Sequence, residues 1–98
     1  MKTMSLSPAK PTQLIENERV RVTRWDFPPK SETGHHVHEY DYVVVPIIPG
    51  KLVLTDDDGK RTENELTVGG AYNRDEGVSH NVINESDFPV AFIEIELK

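Results

Sequence analysis

Residues 69–84 read GGAYNRDEGVSHNVIN, and the rhythm of that stretch decides the fold. Two short runs that favour extended backbone, 71–73 and 80–84, lie between turn signals at Gly69-Gly70 and Glu76-Gly77. Glycine supplies the positive φ that tight turns need, whereas Val, Ile and Tyr pack well on a pleated surface. The same punctuation continues in both directions. Strands are expected at 12–15, 19–27, 37–45, 51–55 and 61–66 upstream, and at 90–97 downstream. Pro28-Pro29, residues 46–50, Asp58-Gly59 and residues 86–89 divide them, and Asp58-Gly59 suits a hairpin turn. In the last run Ile93, Ile95 and Leu97 face one way and Glu94 and Glu96 the other. Val43-Val44-Val45 does not alternate, which suits a strand covered on both faces. No segment sustains a 3.6-residue apolar period, so the expected class is all-β with little or no helix, a sandwich or small barrel.

A chain of 98 residues makes one domain, 1–98, here with an N-terminal arm over about residues 1–13. Its core is modest, and Leu14 and Ile15 follow Pro8 and Pro11 near that arm. Pairing of the arm or of an edge strand with a second copy is therefore expected, giving a homodimer. Seventeen acidic residues against eleven basic ones leave a net charge of −6. Nucleic-acid binding, which rests on clustered Lys and Arg, is not expected. No apolar run is long enough for a signal peptide or a membrane span, and cysteine is absent. A cytoplasmic protein without disulfides or thiol chemistry is the expectation.

Outward from His80, the chemistry gathers in TGHHVHEYDY, residues 33–42, which holds the other three histidines. Residues two apart on a strand point to the same face, so His36 and His38 present their imidazoles side by side, as a strand-borne pair of metal ligands must. His35 falls on the opposite face and is left out of the site. Tyr40 and Tyr42 share the parity of His36 and His38. A third ligand must come from elsewhere, and His80 is the only histidine left. Asp56-Asp57-Asp58 lacks the spacing and terminal glutamate of a calcium loop and reads as a solvated hairpin tip.

Segments 30–50 and 69–84 resemble the two motifs of the cupin superfamily, small jelly-roll barrels with a double-stranded β-helix. In the second motif Gly69, Gly77, His80 and Asn84 fall in place, and Asp75 replaces a proline. In the first, Lys30 stands at the opening glycine and Tyr42 at the usual glutamate, while Gly50 is kept with a one-residue longer gap. ERVRVTRWDFPP, HEYDYVVVP and GVSHNVINES are most similar to small single-domain cupins associated with beta-alanine degradation. The resemblance implies His36, His38 and His80 as ligands of a divalent metal ion, which three imidazoles leave open among Fe, Zn, Ni and Mn. Asn84 either fixes a turn or orients a neighbouring ligand.

The function expected is a metal-binding cupin that acts on or senses a small polar organic molecule. As an enzyme it would be a metal-dependent dioxygenase, or a lyase of small carboxylates with Tyr42 or Tyr40 as acid or base. The competing reading is a non-catalytic ligand-binding or regulatory module, favoured by the loss of the motif's glutamate at Tyr42.

Overall fold

The computed structural model describes residues 5–98. Of the arm expected over residues 1–13, residues 1–4 lie outside the described residues. The chain is all strand and turn, with no helix among the described residues: β1 (Ser7–Pro8), β2 (Lys10–Glu16), β3 (Val20–Phe27), β4 (Ser31–Glu32), β5 (His36–Val37), β6 (Asp41–Ile48), β7 (Gly50–Thr55), β8 (Arg61–Leu66), β9 (Tyr72–Arg74), β10 (Ser79–Asn84) and β11 (Val90–Leu97). They form two facing sheets, in the orders β1-β4-β10-β7-β8, with β5 also on β10, and β2-β3-β11-β6-β9.

Between the sheets lie Phe27, Leu52, Val44, Leu66, Val82, Val90 and Phe92, all buried. Each such side chain contributes about 1.5–3 kcal/mol relative to exposure. Gly50 sits where a Cβ would come within 2.5 Å of Val90 Cγ2, so only glycine lets β7 begin this close to β11. Pro46 has no N–H to give its central strand, and the β6–β11 register shifts beside it, between Ala91 and Phe92.

Two expectations change. The strand expected over 37–45 is two: β5 pairs with β10 in one sheet, β6 with β11 and β9 in the other, and residues 38–40 carry the chain across. The valine run alternates after all, with Val44 buried and Val43 and Val45 only half-buried on the outer face. Lys30 follows Pro28-Pro29 at the place of the motif's opening glycine. It takes φ 56°, the left-handed conformation a glycine would favour there.

Candidate metal centre

Backbone pairing brings the histidines together. His36 on β5 lies opposite His80 on β10. His38, just past the end of β5, is held by its own amide, which donates to Val78 O at 2.9 Å, and by its carbonyl, which accepts from Gly77 N at 2.8 Å. Gly77 turns there at φ 89°, a conformation that residues with a Cβ adopt only with strain. The two motifs therefore meet through main-chain bonds before any side chain contributes.

The three rings then converge through their Nε2 atoms. His36 and His38 stand 3.0 Å apart at these atoms, and His38 and His80 3.1 Å. Their tautomers decide what that closeness means. His36 Nδ1 lies 2.9 Å from Gly34 O, which only accepts, so Nδ1 carries the hydrogen and Nε2 presents a lone pair. Burial, then the neighbouring His36, hold the His38 pKa down to about 4, and the same causes in the same order hold His80 at about 3. These are neutral bases at ordinary pH, turned toward one point. Nitrogens about 2.1 Å from one ion and at right angles to each other lie about 3.0 Å apart, so the trio fits a metal ion. His36, His38 and His80 are also the set among the described residues whose ligand atoms lie within 4.8 Å of one another.

The rest of the wall is mostly apolar. The Tyr42 ring stacks on His38, with centroids 3.9 Å apart and planes 18° from parallel. Burial pushes its phenol well above the usual tyrosine range. Glu94 of β11 turns inward and is buried, with Oε1 3.7 Å from His38 Nδ1. Burial, and then the neighbouring Glu96, raise its carboxyl to about 7. Arg74 of β9 also borders the imidazoles and makes no ion pair among the described residues.

The space at the centre is small on one side and open on two others. An inner cavity of about 30 Å³ has room for an ion and a water or two but not for an organic ligand. From His36 and His38 an outer pocket of about 260 Å³ opens past Trp25, Arg21, Glu94 and Glu96. From His80 another of about 190 Å³ opens past Arg74 and Lys60.

Among the other residues singled out in the sequence, His35 does lie outside the centre. Its Nε2 meets Ser79 Oγ and Asp57 Oδ1, each at 2.8 Å, and so ties the loop to the hairpin tip. Tyr40 does not join the cavity wall, because the chain has left strand geometry at residues 38–40 and parity no longer carries. Asn84, fully buried, donates to Phe27 O, Pro28 O and Phe88 O and accepts from Ser86, so it fixes turns. Sequence reasoning missed Glu94 and Arg74. The available signal was their parity with Phe92 and Tyr72, aromatic residues two positions earlier on the same faces.

Comparison with known proteins agrees with this geometry. The cupin domain family model matches residues 23–96. The beta-alanine degradation protein BauB of Pseudomonas aeruginosa is 49% identical over 90 residues, which cover 92% of this chain and 94% of that one. The crystal structure of a cupin domain from Bordetella pertussis superposes with a TM-score of 0.93 at 52% identity, over 98% of this chain and 99% of that one. An RmlC-like cupin with a double-stranded β-helix from Methanocaldococcus jannaschii shares the fold, with a TM-score of 0.76 at 14% identity over 99% of this chain and 86% of that one.

Proposed function

The chain belongs to the cupin family, and from that premise we propose that it uses a divalent ion, held by His36, His38 and His80, to act on a small carboxylate-bearing molecule. The observation that carries this reading is the convergence of three Nε2 atoms, two of them on buried, neutral imidazoles. Fe, Zn, Ni and Mn all accept such ligands. When bound, the ion would supply Lewis-acid activation of a carboxylate or carbonyl, or as iron the activation of dioxygen.

The protein's own groups would do the rest. Arg74 offers its guanidinium beside the histidines, where it favours an anionic group on the ligand. Trp25 gives the outer pocket an aromatic wall that excludes water. Tyr42, kept neutral by burial, is suited to give a hydrogen bond to charge that develops on the ligand. The relative named for beta-alanine degradation supports a ligand of this size and charge, since β-alanine is itself a small carboxylate. A second reading, a ligand-binding or regulatory module without turnover, is favoured by the phenol of Tyr42 in place of the motif's carboxylate. The absence of cysteine supports a place in the cytoplasm, and the half-buried outer valines support a homodimer.

Metal analysis of protein purified without chelator or added metal tests the core of the proposal. Close to one ion per chain is expected, with His38→Ala losing most of it and Tyr42→Phe retaining it. Tyr42→Phe should instead lower any turnover of small carboxylates by about 10²–10⁴-fold. If Tyr42→Phe strips the metal as fully as His38→Ala, the phenol is a ligand and the three-histidine assignment is wrong.

A further inference from the structure

The geometry points to Arg74 as the anchor of the ligand's carboxylate, and to the opening beside His80, not the one beside His36 and His38, as the way in. The inference deepens the reading above and rests on it for the ion. Arg74 ends β9, whose register sets it against Tyr42 of β6, and it lines both the inner cavity and the opening on the His80 side. Half-buried there, its guanidinium enters no ion pair among the described residues. Its cross-strand neighbour is a phenol, which cannot balance the charge as a carboxylate would. Glu94, the carboxylate on the inner wall, lines the opposite opening and does not pair with Arg74. A guanidinium presents its N–H donors in a planar fork and accepts nothing, so an unpaired one beside a pocket is complementary to a carboxylate.

The two openings differ in sign. On the His80 side Arg74 and Lys60 stand with one carboxylate, Asp56. Asp56 Oδ1 already accepts from the amides of Asp58 and Lys60, each at 2.9 Å, and so closes its own hairpin turn. Lys60 is exposed and, like Arg74, has no ion pair among the described residues. On the other side Glu39, Glu94 and Glu96 outnumber Arg21, which is committed to Glu16 at 2.8 Å and to Glu96 at 3.7 Å. In a chain of net charge −6, two free cations at one opening decide where an anion enters. Size agrees, since the opening of about 190 Å³ seats a small organic anion and the inner cavity of about 30 Å³ does not. A carboxylate on Arg74 rests beside His80, where its charge offsets both the guanidinium and an ion held by the three imidazoles.

The test titrates propionate into metal-free and Zn²⁺-loaded protein at pH 8 and constant ionic strength, with circular dichroism confirming that each variant folds. Backbone amide shifts of Lys60, Val78 and Ser79 report the opening beside His80, and those of Val37 and Glu39 report the other. Propionate should move the first set saturably, in both forms of the protein, where chloride at the same concentration does not. Arg74→Gln should weaken propionate by about 10- to 100-fold. Arg74→Lys, which keeps the charge and loses the fork, should weaken it less, and Arg21→Gln should leave it unchanged. Shifts confined to Val37 and Glu39, or no saturable shift in either form, would overturn the proposal. Propionate that binds only with Zn²⁺, and equally well to wild type and Arg74→Gln, would give the carboxylate to the ion alone: the anchor fails and the metal reading stands. If Zn²⁺ itself does not bind while propionate still binds through Arg74, the anchor stands and the metal reading fails.

Discussion

Lys30 holds its backbone at φ 56°, where an L side chain costs roughly 1–2 kcal/mol and glycine costs nothing sterically. The turn keeps lysine because its ammonium reaches Glu85 O at 2.5 Å and Asp87 at 3.2 Å across the adjoining loop. The two effects separate by mutation. Lys30→Ala loses the contacts and keeps the Cβ, whereas Lys30→Gly loses both, so Gly should exceed Ala in stability by about 1 kcal/mol in urea unfolding. Equal stabilities would mean that the turn relaxes out of the left-handed region. At this scale the convergence of His36, His38 and His80 was legible because chemistry and spacing coincide in parity and motif register. It failed at Glu94 because a glutamate between two isoleucines reads as solvent-facing. Only the opposite sheet, which is not local in sequence, shows that Phe92 and Glu94 look inward.

At the scale of elements, β5, the turn after it, β10 and β11 each deliver one polar side chain, His36, His38, His80 and Glu94, to a single place. Their boundaries were legible where glycine or proline marks them and not at residues 38–40, where the chain changes sheets without a breaker. The crossing places His38 against both β10 and β11, and pH dependence follows from it. The pKa values of His38 and His80 fall from 6.5 to about 4 and about 3 on folding, so each contribution is complete above pH 6.5 and is lost as pH falls toward the folded value. Together with the coupling between them, these shifts are worth roughly 3–5 kcal/mol apiece. Glu94 runs the other way: raised from 4.5 to about 7, its contribution is complete below pH 4.5 and is lost as pH rises through about 7. Two histidines against one carboxyl give a net fall in stability with acidification below 6.5, steeper below 4.5. Metal-free protein followed by thermal melting should be most stable near pH 6.5–7. Stability that was flat between pH 6.5 and 4 would show that the histidines reach solvent in the folded protein.

For the whole molecule, the outer face of the five-stranded sheet raises the remaining question. Ile15, Val22, Ile95 and Val43 lie in one row across β2, β3, β11 and β6, and Ile93 pairs with Val45 in the next. These residues are half-buried or, like Ile15 at 49%, exposed, and Leu97 farther along β11 is exposed at 46%. All seven residues of β2 are exposed, so this edge strand gains almost nothing by burial within its own chain. Apolar patches of this extent on a small domain mark interaction surfaces. A four-strand face eight residues long measures roughly 20 by 26 Å, or about 520 Å², the larger part of the ~800 Å² per partner of a stable interface. A second copy of the chain is the occupant that fits: Val43 and Val45 on β6 are apolar yet only half-buried on this outer face, and no other segment of the described chain packs over it. A two-fold contact would set Ile95 near its counterpart at the centre of the row. Sedimentation should therefore find a dimer at micromolar concentration. Ile95→Glu, which sets two carboxylates against each other without touching the inner core, should raise the dissociation constant by about 100-fold and leave the monomer folded and metal-loaded. A wild-type monomer at micromolar concentration, or an Ile95→Glu variant that dimerises as tightly as wild type, would move the interface off this face.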